Sequence, residues 1–245
     1  MAQKFSNTYI FTFSLIMVTV VAVLLSFVAT QLNPRQRMNV EIEQKQDILR
    51  SVGKAERMKE MEDKNEYINS QFGEFISDSY VIDFEGNRID TNAFQVTLNI
   101  ENEVEKDPRD RNYPVFVYTA ADGHQNYVVP VRGKGLWGPI WGYVSFASDM
   151  NTITGAIFDH QGETPGLGAE INTDWFQEPF EGKTIFNEEG EFVSIEVVKG
   201  GVPEGSKHQV DGISGGTITS DGLEDMLEDC LAGYVSHFKS KVVKS

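Results

Sequence analysis

The hydrophobic pattern of the chain changes twice along its length. From Phe5 to Pro34 there are 30 residues without one Asp, Glu, Lys, Arg or His. The central part, Tyr9 to Leu32, is long enough to cross the hydrocarbon of a bilayer as one helix. It exceeds the apolar region of a cleaved signal, and no small-residue cleavage pattern stands out near its end, so residues 1–34 are expected to be a retained transmembrane anchor. Between Pro34 and about Ile76 the chain is rich in Glu, Lys, Gln and Met, with Ile42, Ile48, Leu49 and Val52 at roughly helical intervals. A second helical run carries Ile68, Phe72, Phe75 and Ile76. These predict membrane-proximal helices, with the charges from Glu56 to Lys64 on a solvated face.

Period-two patterns follow. Phe94, Val96, Leu98 and Ile100 alternate with polar partners, as in a half-buried strand. Val115 to Tyr118 and Tyr127 to Val131 flank an Asp122-Gly123 turn, which predicts a hairpin. Further strand-like runs lie at Trp141 to Phe146, Ile153 to Phe158, Lys183 to Phe186 and Phe192 to Val198, with a short helix around Asp174 to Pro179. The charged stretch Glu101 to Arg111 reads as a surface loop. From Leu223 the apolar residues fall at Met226, Leu227, Cys230, Leu231, Tyr234, Val235 and Phe238, which is helical spacing, with Asp221 and Glu224 as a capping pair at its start. Helices at the two ends and strands between them predict an α+β domain with a mixed or antiparallel sheet and flanking helices. The expected organisation is an anchor over 1–34, a membrane-proximal helical region with a first hairpin over 35–93, and an α+β domain over 94–245.

Composition excludes several functions. With 21 basic against 37 acidic residues, the net charge is −16, and no basic patch could neutralise nucleic-acid phosphates. The single cysteine, Cys230, rules out an intrachain disulfide or a CxxC pair, and it falls on the apolar face of the last helix, where it reads as core. His124, His160, His208 and His237 have no paired metal-ligand spacing. No Gly-x-Gly-x-x-Gly fingerprint opens a strand-helix unit, and Gly200 to Lys207 has Ser206 where a phosphate-binding loop needs lysine. No carboxylate stands out as a general acid or base.

The stretch Asp211-Gly212-Ile213-Ser214-Gly215-Gly216-Thr217-Ile218-Thr219 sits just ahead of the last helix. Glycines let a backbone approach a ligand, and the free N–H groups and dipole of a helix start favour an anion. A cap with no ligand is the commoner use of such a turn. The stretch resembles the flavinylation motif Asp-Gly-x-Ser/Thr-Gly-Ala-Thr, in which FMN is held through a phosphoester to the last threonine, here Thr217. Gly216 replaces the usual Ala. Some 50 residues upstream, Glu163-Thr164-Pro165-Gly166-Leu167-Gly168 resembles the second hallmark loop of the FMN-binding domain family. Gly133-Lys134-Gly135-Leu136-Trp137 resembles a segment of the membrane-anchored flavoprotein subunit of the Na⁺-translocating NADH:quinone reductases, and the single amino-terminal span agrees with it.

The resemblance implies a membrane-anchored flavoprotein that relays electrons through covalent FMN. The implied FMN-binding residues are Thr217, Asp211, Ser214, Gly215, Gly216, Glu163, Thr164, Gly166 and Leu167. Trp137 and Trp141 are candidates for stacking near the flavin ring or for plain core. An unactivated threonine is a poor nucleophile, and no base stands beside it in the sequence. The resemblance therefore implies a Mg²⁺-dependent flavin transferase as a partner, with FAD as donor and AMP released, besides the other subunits of the membrane complex. It also implies a bacterial inner membrane with the domain on the periplasmic side, whereas Arg35 and Arg37 after the span mildly favour a cytoplasmic one. The flavoprotein subunit of the ferredoxin:NAD⁺ oxidoreductase complexes is the nearest alternative. A single-span binding or scaffold protein is an alternative of another class.

Overall fold

The computed structural model describes residues 6–54 and 63–242, so Lys4 and most of the charged run from Glu56 to Lys64 lie outside the described residues. Contacts divide the chain into two units, Met1–Glu43 and Gln44–Ser245. The first consists of the opening part of helix α1 (Asn7–Ser51), which is exposed throughout residues 6–40 and runs on through Pro34. It is long and apolar enough to cross a membrane.

In the second unit, the end of α1 is followed by α2 (Lys64–Phe75), which Asp63 caps by accepting from the Glu66 N–H at 3.1 Å. Strand β1 (Ile76–Ile82) turns back into the short β2 (Arg88–Ile89). Next come two short helices, α3 (Ala93–Leu98) and α4 (Ile100–Val104). The strand expected at Phe94 to Ile100 is therefore helical. Asn92 accepts from the Gln95 N–H, and Ala93, Val96 and Thr97 form the buried side. The stretch Glu101 to Arg111 is likewise not a plain surface loop, because Glu103 and Arg111 are both buried.

The hairpin β3 (Tyr113–Thr119) and β4 (Gln125–Lys134) forms around Asp122-Gly123, with Gly123 at φ +89°. Strands β5 (Pro139–Phe146) and β6 (Ile153–His160) extend it. The result is a six-stranded antiparallel sheet in the order β2-β1-β3-β4-β5-β6. Helix α5 (Asp174–Gln177) and a 3₁₀ turn at Glu178–Phe180 occupy the position of the short helix expected there.

Beyond that point the expected strands shrink. Lys183 to Phe186 and Phe192 to Val198 make only the isolated bridges Thr152–Thr184 and Phe186–Phe192, plus β7 (Glu196–Val198), which pairs in parallel with β8 (Gln209–Asp211). The last two described elements are α6 (Thr217–Ala232) and α7 (Val235–Val242).

Both faces of the sheet are covered, which follows from its alternation. Val115 and Val117 of β3 join Leu223, Leu227 and Leu231 of α6 in the larger core, while Phe116 and Val128 point to the other face with Ile48 and Val96. Cys230 is buried in the larger core. Helix α6 lies against β4 closely enough that a Cβ on Gly133 would come 2.6 Å from the Met226 Cβ, and one on Gly222 would collide with the Lys134 carbonyl. This approach sets the N-terminus of α6 beside the β4–β5 turn.

Candidate functional site

Three connecting segments meet at the start of α6. The β4–β5 turn, closed by the Gly135 N–H to the Gly138 carbonyl at 2.8 Å, carries Leu136 and Trp137. The loop after β6 carries residues 163–168, where the Leu167 and Ala169 N–H groups donate to the Thr164 carbonyl. Gly166 adopts φ +75°, and its N–H donates to Glu170 Oε1 at 3.0 Å. The third segment is the turn from Asp211 to Gly216.

Within that third turn, Gly215 has φ +78° and Gly216 is the N-cap of α6. Asp221 and Glu224 therefore do not cap the helix, which begins at Thr217. Glu224 instead accepts from the Val197 N–H at 2.7 Å, and Asp221 pairs with Lys199. The N-cap provides no side-chain hydrogen bond, and the first turn of α6 holds no acid. The first N–H groups of a helix have no intrahelical partners, so this terminus suits an external anion.

Between the segments lies a cleft of about 320 Å³, lined by Leu136, Glu163, Thr164, Leu167, Gly168 and residues 215–219. Thr217 is half-buried at this cleft, whereas Thr219 is buried. Leu136, Leu167 and Ile218 make its rim apolar, being 46%, 40% and 57% exposed. An open cavity of about 890 Å³ lies elsewhere, among Gln46, Arg50, Thr154, Asp174 and Gln177. Its lining is polar and of mixed charge, and none of the motif residues is part of it.

Of the ten residues singled out in the sequence, six line the cleft: Glu163, Thr164, Leu167, Gly215, Gly216 and Thr217. The other four do not. Asp211 is exposed and accepts from the Val202 N–H at 2.8 Å, which joins it to the preceding loop. Ser214 is exposed and Gly166 shapes its own loop. The Trp137 ring is 68% exposed and its backbone N–H donates to Glu163 Oε1 at 2.8 Å. Trp137 is thus no core residue.

Leu136, Gly168, Ile218 and Thr219 also line the cleft, although sequence motifs alone do not mark them as lining residues. Ile218 carries a usable signal, because it is apolar yet off the face formed by Leu223, Met226 and Leu227. Gly216 has a local explanation. A Cβ there would lie 2.9 Å from the Ile213 Cγ2 and 3.2 Å from the Gly168 N, so alanine would crowd the turn.

Glu163 is 5% exposed, with both carboxylate oxygens engaged: Oε1 accepts from Trp137 and Oε2 accepts the Thr219 hydroxyl at 2.6 Å. Its own N–H donates to His160 Nδ1 at 3.2 Å, which leaves the imidazole proton on Nε2. The other histidines are dispersed: His124 contacts Asp122, and Tyr80 bonds His237. Among the described residues no group of three or more His, Cys, Asp or Glu is arranged to hold a metal.

All three segments fall within residues 135–232, which match the model of the FMN-binding domain family, so the fold and the cleft belong to a flavin-binding class of protein. The similarity extends well beyond this segment. A Na⁺-translocating NADH-quinone reductase subunit from Vibrio alginolyticus is 32% identical over 221 residues, which amount to 84% of this chain and 82% of that protein. The crystal structure of the same subunit from Parabacteroides distasonis superposes with a TM-score of 0.71 at 40% identity, spanning 84% of this chain and 96% of that one. That of Shewanella oneidensis NqrC superposes with a TM-score of 0.68 at 26% identity, spanning 83% and 98%. The chain belongs to this NqrC family of Na⁺-translocating NADH-quinone reductase subunits.

Proposed function

We propose that this chain is the membrane-anchored flavoprotein subunit of a Na⁺-translocating NADH:quinone reductase, with FMN held through a phosphoester to Thr217. The observation that carries this reading is the position of Thr217. It is the first residue of a helix without a side-chain cap, half-buried at a cleft whose backbone is glycine on two sides. The cleft volume falls within the roughly 300–1,000 Å³ of small-molecule sites. Gly168, Gly215 and Gly216 leave room for a phosphate against the backbone, since a Cβ at Gly215 would come 2.7 Å from the Leu167 Cδ2. Leu136, Leu167 and Ile218 offer an apolar surface for a planar ring, with Thr164, Glu163 and Trp137 at its margin. Asp211, Ser214 and Gly166 shape the turns rather than meet the ligand.

FMN, once attached, supplies electron transfer, and the protein fixes its position and surroundings. Thr217 is a modified residue, not a catalytic one. The cleft holds one carboxylate, Glu163, and both its oxygens are already occupied. Attachment therefore requires a flavin transferase. The Thr217 oxygen attacks the FMN phosphorus of FAD, the pyrophosphate P–O bond breaks, AMP leaves with the electron pair, and the hydroxyl proton passes to a base on the transferase. Residues 1–34 serve as a single span in a bacterial inner membrane, with the folded unit on the periplasmic side. There the protein relays electrons between other subunits during NADH-to-ubiquinone transfer coupled to sodium export.

The test is peptide mass spectrometry on protein purified from its native membrane, with flavin fluorescence read in a denaturing gel. An FMN adduct on Thr217 is expected. Unmodified Thr217 in protein from cells with an active transferase overturns the assignment.

A further inference from the structure

The geometry points to Glu163 as a positioning residue that locks the first turn of α6 against the Leu136–Trp137 turn, so that the Thr217 hydroxyl is presented to the cleft in one orientation. The inference rests on the reading of Thr217 as the flavin acceptor.

Glu163 joins three parts of the chain that are far apart in sequence. Its Oε1 holds the β4–β5 turn through the Trp137 N–H, and its Oε2 holds the third residue of α6 through the Thr219 hydroxyl. Its own N–H is anchored on His160 at the end of β6. Hydrogen bonds to a carboxylate are about twice as strong as neutral ones, and a buried carboxylate without them carries a large desolvation cost. No cation pairs with Glu163 among the described residues, so these two donors are what keeps it in place.

The slot is shaped for it. A Cβ on Gly135 would lie 2.6 Å from Oε1, and one on Gly168 would lie 2.5 Å from Oε2 and collide with the Thr219 hydroxyl. Two glycine backbones thus flank the carboxylate. Thr219 is two residues from Thr217 on the same helical turn, so a displacement at one moves the other. An in-line attack on phosphorus depends steeply on placement, with a 1 Å error costing up to about 100-fold.

The experiment uses the full-length chain in detergent, produced without transferase and then mixed with FAD, Mg²⁺ and purified transferase. The initial rate of covalent labelling is read by in-gel fluorescence, the attachment residue by peptide mass spectrometry, and folding by thermal unfolding. Thr219→Val, close in shape but without a donor, and Glu163→Leu are expected to label at least about tenfold more slowly. The double variant should be no slower than either single change, because both remove one link.

Glu163→Gln can keep both links, its carbonyl accepting from Trp137 and its NH₂ donating to the Thr219 oxygen. Together with Thr219→Ser it should recover the rate to within about threefold of wild type, which loss of general stability would not predict. Labelling of Thr219→Val at the wild-type rate, or equal loss in Glu163→Gln and Glu163→Leu, overturns the inference while the acceptor reading stands. Wild-type protein with no adduct on Thr217 overturns both. If Glu163→Leu does not fold, the comparison of Thr219→Val with Thr219→Ser decides.

Discussion

Thr217 and Thr219 lie two residues apart on the first turn of α6, yet only Thr217 reaches the cleft with a hydroxyl that is not held by Glu163. Thr219 is 1% exposed and donates to Oε2. Labelling should therefore be single. Thr217→Ala is expected to carry no covalent flavin, with no transfer to Thr219, and Thr217→Ser should retain it. Intact mass of the two variants after expression with the transferase checks both outcomes.

Gly222 opposes the Lys134 carbonyl across the α6–β4 contact with no room for a Cβ. Intrinsic helix propensity favours Gly222→Ala by about 1 kcal/mol. The clash is with backbone, however, and overpacking of this kind costs about 1–3 kcal/mol. The net expectation is a destabilised protein, seen as a lower thermal midpoint. The N-terminus of α6 should shift with it, slowing flavin attachment.

Arg111 is buried and donates from Nη1 to Asp229 Oδ2 at 2.6 Å, while Nε and Nη2 each reach a carbonyl, of Lys106 and Val104, at 3.0 Å. Lysine cannot span these three acceptors. Arg111→Lys should cost about 1–3 kcal/mol in a denaturant titration. Asp229→Asn should cost less, about 0–1 kcal/mol, because Asp229 is half exposed.

Burial holds the Cys230 thiol protonated up to about 11, against an ordinary 9.0. Burial likewise raises Tyr80 and Tyr113 to about 12, against 10.0. In each case the unfolded chain releases its proton first as pH rises. The stability linked to these groups is complete below about pH 9 and is lost between about pH 9 and 12. Denaturant midpoints should fall steadily across this window. Cys230→Ala should remove the earliest part of the decline.

The composition and local patterns of the chain were enough to specify much of this. The uncharged run from Phe5 to Pro34 needs only its length to be read as a candidate span, and the hairpin at Asp122-Gly123 needs only alternation and a turn that favours glycine. The motif around Thr217 and the loop at Glu163 are local as well, which is why six of the ten named residues do line one cleft.

Other features were decided by tertiary contacts. Phe94 to Ile100 alternates like a strand, but a six-residue helix is too short for its period to outweigh that pattern, and the Asn92 cap with burial of Val96 and Thr97 decides the matter. Asp221 and Glu224 resemble a cap, yet the helix begins four residues before Asp221 because Gly215 and Gly216 make the turn and Val197 takes the Glu224 carboxylate. Above all, the link between Glu163 and Thr219 joins residues 56 positions apart. Sequence alone determined the anchor, the main hairpin and the acceptor motif, since each depends on neighbours within one or two turns of chain. Which threonine faces the cleft, and what holds it there, depended on how closely α6 packs on β4, a distance that only the folded backbone sets.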